Sequence, residues 1–257
     1  MRSELLKIRT TRAWWVLALV MFLYVGLTAA VFGYLFGQTD SSELDAYAGT
    51  SSVSMIASLA MSTGYVFALI IGSLIVTTEF RTRTIIPTYL SNPDRLGVLM
   101  AKVGAGIVMG VVYAVVGLVA AVGVGGGLLE YFAPGSLAQV DGLLVVRVAV
   151  ALVLWTVIGV TLGSVVTSQV VAIVLVLVFT QVVEPILRVV ALGLDWPDES
   201  TAFLPGAAAD NFVGVSLLSG ISSDSGLPWW GSGFVLAGYA LVFFLIGWIV
   251  RARTDVA

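Results

Sequence analysis

Six apolar stretches dominate this sequence: Trp14–Phe36, Ser54–Thr77, Val103–Leu129, Leu143–Val166, Val170–Val190 and Trp229–Val250. Each is 21 to 27 residues long. At about 1.5 Å of helical rise per residue, about 20 apolar residues cross a hydrocarbon core of about 30 Å. The run Leu143–Val190 is too long for one crossing, and its only polar break, Thr167-Ser168-Gln169, predicts a tight turn. Every span must be helical, because a lone strand leaves its backbone unpaired in lipid. The ten-residue alternating segments of a β-barrel are missing. Composition agrees, with 59% hydrophobic and 11% charged residues, against about one-quarter charged in a soluble domain. A single soluble domain is therefore excluded. The expected fold is an all-α integral membrane domain over residues 1–257.

The first stretch is not read as a cleaved signal peptide. Its apolar run exceeds the usual h-region, although the small residues around Leu27–Gly33 could mimic a cleavage site.

Basic residues set the expected orientation. With the N-terminus in the cytoplasm and six crossings, Arg2, Lys7, Arg9, Arg12, Arg81, Arg83, Arg95, Lys102, Arg251 and Arg253 all fall inside. Only Arg147 and Arg188 of the 12 basic residues fall outside, a strong positive-inside bias. Both termini are then cytoplasmic. Residues Thr201–Ile221 could be read as a seventh span. However, they contain Pro205, Asp210 and several glycines, and a seventh crossing would export Arg251 and Arg253. Residues 191–228 are expected to form an outer segment with re-entrant or interfacial helices, the plainer option being an ordinary loop with an amphipathic stretch.

Met1–Thr11 reads as a short interfacial helix, or simply as a basic anchor for the first span. The inner loop 78–102 is richer. Asn92-Pro93-Asp94 has the form of a helix start, with an N-cap, a first-turn proline and a first-turn acid. The expected shape is helix, turn, helix, the second helix running into the third span. Glu79, Arg81, Arg83, Asp94 and Arg95 put charge on this loop.

Small residues recur at four-residue spacing: Ala60, Gly64, Ala68 and Gly72; Gly106 and Gly110; Gly117, Ala121 and Gly125; Gly159 and Gly163. They allow close backbone approach. Packing within the chain is the expected use for most of them, with a dimer face as the alternative for one.

The sequence lacks obvious bond-making chemistry. Cys and His are absent, which removes disulfides, thiolate sites, imidazole acid–base catalysis and the usual zinc ligands. Gly123-Val124-Gly125-Gly126-Gly127 is not a phosphate loop, because the Lys and Ser/Thr that such a loop needs do not follow it. Ionisable groups inside spans default to function or to pairing. Glu184 and Arg188 stand at i,i+4, the favourable helical order for an ion pair. Pro185 predicts a kink or helix end there. Glu184, Arg188 and Arg147 are expected to form an outer-leaflet polar cluster, as a substrate contact or as an internally satisfied pair.

Four segments carry a family resemblance: S-E-L-L-K-I-R-T-T-R-A-W-W at Ser3–Trp15, E-F-R-T-R-T-I at Glu79–Ile85, V-E-P-I-L at Val183–Leu187 and F-L-P-G-A-A-A-D at Phe203–Asp210. Their order on six spans resembles the type-2 ABC transporter permease family, in particular its small actinobacterial members. The resemblance implies a multi-pass protein of a bacterial plasma membrane, the membrane half of an exporter with no nucleotide site of its own. It further implies a second permease copy or related chain, two cytosolic ABC ATPase subunits that bind ATP and Mg, contact with membrane lipid, and no nucleic acid. Glu79, Arg81, Arg83, Asp94 and Arg95 would then dock the ATPase, or the arginines would merely hold the loop inside. Two other classes stay open: an ion-coupled secondary transporter, for which no midplane titratable group is evident, and a non-transporting sensor or assembly subunit. Sparse internal charge points to a hydrophobic or amphipathic cargo.

Overall fold

Helix is the only regular structure in the computed structural model, which describes residues 11–38, 51–82, 95–166, 168–193, 201–215 and 227–253. Span 1 is α1, Ala13–Gln38. Span 2 joins α2, Ser52–Ser62, to α3, Tyr65–Arg81. Span 3 joins α4, Arg95–Leu118, a π-helix, Val119–Gly126, and α5, Gly127–Phe132. Span 4 is α6, Gly142–Val165. Span 5 joins α7, Gln169–Val178, a π-turn, Phe179–Val183, and α8, Glu184–Gly193. The short α9, Pro205–Val213, precedes span 6, which is α10, Trp229–Arg253. All six spans are long and apolar enough to cross a membrane. Their outward faces carry Leu23, Leu27, Val170, Val189 and Phe234, all well exposed, as lipid-facing surfaces should be.

Spans 1 to 4 hold the core, in which Met21, Ile56, Leu59, Tyr113, Leu129, Leu152 and Trp155 are buried. Span 5 and span 6 lie at the rim, span 5 against span 2 and span 6 against span 4 and α9.

The small residues work inside the chain. A Cβ on Gly72 would strike the Thr156 carbonyl, and one on Gly159 the Leu69 carbonyl. These reciprocal contacts let spans 2 and 4 cross backbone to backbone. Gly125 and Gly33 do the same for spans 3 and 1. The Gly123–Gly127 stretch lies in and beside the π-helix, whose closing N–H, on Gly127, donates to the Val122 carbonyl five residues back.

Three spans depart from the uniform helices expected. Span 2 breaks at Thr63–Gly64. Ser62 Oγ and Thr63 Oγ1 donate to the carbonyls of Ser58 and Leu59 at 3.2 and 2.7 Å, a back-bonding that bends helices. Spans 2 and 3 are also longer than expected, at 30 and 37 residues, so the loop 78–102 contracts to the connection between Arg81 and Arg95. In span 5 the helix neither ends nor breaks at Pro185. The irregularity lies one turn earlier, where the Glu184 N–H donates to the Phe179 carbonyl. The inserted residue re-registers the helix just before the proline, whose missing N–H then falls in the first turn of α8. The interfacial helix expected at Met1–Thr11 and the helix start at Asn92-Pro93-Asp94 lie outside the described residues, except for Thr11.

Candidate functional site

At one end of the bundle, α9 begins with Leu204 at the N-cap position and Pro205 as its first residue. Leu204 has no side chain that can cap, and proline has no N–H to satisfy. The next two donors, Gly206 N–H and Ala207 N–H, are satisfied from another element. Gly206 donates to Glu184 Oε2 at 3.0 Å and Ala207 to Glu184 Oε1 at 2.7 Å. The Glu184 carboxylate of span 5 is thus the cap of α9, where the positive end of the helix dipole favours it. Glycine at 206 leaves room for the carboxylate, since a Cβ there would stand 2.5 Å from Glu184 Oε1 and force it to shift.

Arg188 completes the joint. Its Nη2 donates to Glu184 Oε1 at 2.6 Å and its Nη1 to Asp210 Oδ2 at 2.9 Å. One guanidinium therefore bridges two carboxylates, one on α8 and one on α9. Glu184 is almost fully buried, and three donors offset the desolvation of its charge. Two of the sequence segments singled out above, Val183–Leu187 and Phe203–Asp210, are the two halves of this joint. Span 6 closes it from the side, with Tyr239 Oη donating to the Phe203 carbonyl at 3.0 Å.

The expected third member of the cluster is placed elsewhere. The Arg147 guanidinium of span 4 lies over the Trp229 ring, 4.4 Å from its centre, rather than between the carboxylates. Trp229 in turn meets Phe212 of α9, ring centres 6.4 Å apart. Asp210, Gly206 and Tyr239 join the site instead. Asp210 stood in the F-L-P-G-A-A-A-D segment, but nothing in the sequence tied it to Arg188.

One helical turn below the joint, Gln181 Nε2 donates to Tyr65 Oη at 3.0 Å. The Tyr65 ring packs 4.8 Å from that of Trp155. The π-turn of span 5 is thereby tied to span 2 just past its break, and to span 4.

At the opposite end, Glu79 of span 2 meets Lys102 of span 3, Oε2 to Nζ at 2.7 Å. Both side chains are buried, 7% and 3% exposed. Glu79 therefore lies between the stems of the 82–94 connection and not on an exposed face, whereas Arg81 is exposed. Lys102 was legible only as an inner basic residue, because its partner lies on a different helix. Arg83 and Asp94 lie outside the described residues, as does the side chain of Arg95.

The model of a protein family described as ABC-2 family transporter protein matches residues 1–183. No curated protein matches the chain.

Proposed function

This chain belongs to the ABC-2 transporter family, and from that membership we propose that it is the permease subunit of an ATP-binding cassette exporter. It is a multi-pass membrane protein of a family whose members work with an ABC ATPase subunit. The finer reading is that both termini and the 82–94 connection face the cytoplasm of a bacterial cell, with α9 on the outer side as part of a re-entrant segment. Residues 1–257 act as one domain, paired with a second copy or a related chain. ATP and Mg are bound by the separate cytosolic subunit, which supplies the free energy of hydrolysis.

Family membership carries this reading, and the buried Glu79–Lys102 ion pair supports its coupling step. Breaking a buried pair by removing one partner leaves an uncompensated charge, at a cost of about 3–5 kcal/mol. The pair therefore makes the stems of spans 2 and 3 move together. A load applied by a docked ATPase at Arg81, Arg83, Asp94 and Arg95 would be delivered to both spans at once. Span 2 continues to Tyr65, which is bonded to Gln181, three residues before Glu184. In this mechanism the load reaches the Glu184–α9 joint through span 5 and shifts the outer segment between closed and open arrangements. The chain itself makes and breaks no covalent bond. Its apolar interior suits a hydrophobic or amphipathic cargo. An ion-coupled transporter fits less well, since Glu184 is already committed to Gly206, Ala207 and Arg188.

Purification of the tagged protein from its native membrane in mild detergent, with mass spectrometry of what accompanies it, tests the proposal. A stoichiometric soluble subunit bearing a phosphate loop is the expected result. Charge reversal at Arg81 and Arg83 should then remove the permease's effect on that subunit's ATPase rate. Reproducible absence of any such subunit would shift the weight to the ion-coupled or non-transporting alternatives.

A further inference from the structure

Two arginines, Arg147 and Arg188, lie at the α9 end of the bundle, and only Arg188 has a carboxylate partner among the described residues. Arg188 is held by Glu184 and Asp210 at 2.6 and 2.9 Å. Among the described residues no carboxylate pairs with Arg147, and its Nε is buried without a hydrogen-bond partner. A charged group desolvated on one edge and unpaired is costly unless something else satisfies it.

The surroundings of Arg147 are built. One face of the guanidinium stacks on Trp229 at 4.4 Å. Phe212 supports that ring from α9. The C-terminal turn of α9 closes another side. Gly214, in the left-handed conformation at φ 87°, caps that turn by donating its N–H to the Asp210 carbonyl at 2.9 Å. A Cβ at Gly214 would stand 3.3 Å from Arg147 Nη1, so glycine there leaves room beside the cation. Its depth is defined as well. Arg147 follows the Asp141 N-cap of span 4 by six residues, about 9 Å of helix, and Trp229 is the first residue of span 6. Tryptophan at the end of a span marks the membrane–water interface. Long basic side chains near span ends extend toward that interface, so the guanidinium beside Trp229 is within reach of lipid phosphates, and a planar fork of donors matches a phosphate in two-point contact.

We propose that Arg147, stacked on Trp229, binds the phosphate of an anionic lipid headgroup, one lipid per chain, in the leaflet on the α9 side. The ligand chemistry is a phosphodiester anion; a free phosphate ion shares it, and the test separates the two sources.

The experiment is native mass spectrometry of the purified full chain, titrated with phosphatidylglycerol, with phosphatidylcholine and with inorganic phosphate alone. The unmodified protein should retain one phosphatidylglycerol in preference to phosphatidylcholine. Loss of a charge-assisted contact in Arg147→Gln should weaken that binding by about tenfold. Arg147→Lys should keep part of it, because a point charge lacks the fork. Trp229→Leu keeps the cation and should weaken binding by loosening its position, which guards against a Gln variant that simply misfolds. Equal retention of phosphatidylglycerol by the unmodified protein, Arg147→Gln and Trp229→Leu would overturn the proposal. So would binding of inorganic phosphate with no preference between the two lipids, which would mark a free-anion site.

Discussion

Gly206 donates its backbone N–H to the carboxylate of Glu184 at 3.0 Å, across 22 residues of sequence. A side chain on one membrane span thus supplies the cap that a neighbouring short helix cannot supply for itself. With Ala207 and Arg188 as further donors to the same carboxylate, the joint is nearly saturated. It is also brittle, since each partner lost leaves a buried polar group behind.

Glu184→Gln keeps one acceptor oxygen but turns the other into a donor, which faces either the Gly206 N–H or both Arg188 and the Ala207 N–H. The expected loss of stability is about 3–5 kcal/mol, the cost of breaking a buried pair. Thermal melting of the detergent-solubilised protein reads it. Arg188→Gln should be at least as damaging, because it leaves the buried Glu184 carboxylate and Asp210 without the cation that both share.

Gly206→Ala adds one methyl group at the tightest point of the joint. It should destabilise the protein although alanine favours helix more than glycine does. Limited proteolysis around residues 201–215 should show α9 released while the six spans stay protected. An unchanged cleavage pattern would mean that the carboxylate can step aside.

Glu79→Lys and Lys102→Glu each place two like charges between the stems of spans 2 and 3. Either single variant should depress expression or ATPase stimulation strongly. The double exchange restores opposite charges and should recover a substantial part of both. A double variant as defective as the singles would show that the pair does not carry the coupling.

Some glycines would press a Cβ against backbone and others have nothing near them. Gly159→Ala pushes a methyl group into the Leu69 carbonyl, whereas Gly238 has open space around it. The first variant should unfold at lower temperature than the unmodified protein. The second should be neutral, or more stable by up to about 1 kcal/mol through helix propensity. Paired melting curves decide this.

Some of this was readable in the residues alone because the relevant physics is local. The bilayer sets a length, so six long apolar runs announce six spans whatever their neighbours. Glu184 and Arg188 stand one helical turn apart, so their ion pair follows from spacing. Pro185 announced a disturbance, though the helix answered it with a π-turn at Phe179–Val183 rather than by stopping. The break at Thr63–Gly64 left a local trace too, in Ser62 and Thr63, but it is weak because these side chains as often bond back to a continuous helix.

What only the tertiary structure decided depends on which helices lie side by side. Lys102 meets Glu79 because spans 2 and 3 are neighbours at that depth, and Asp210 meets Arg188 because α9 folds back onto span 5. Arg147 has the same charge and the same end of the bundle as Arg188. Nevertheless one is locked between carboxylates and the other rests on Trp229. No periodicity encodes that choice, because a side chain's partner across an interface is fixed by crossing geometry. That geometry is set in turn by close approaches such as Gly72 to Thr156 and Gly159 to Leu69. Solvent imposes span length and composition on every residue of such a chain, and the sequence records them directly. Contacts between helices are imposed by only a few atoms on each side, so they appear once the chain has packed.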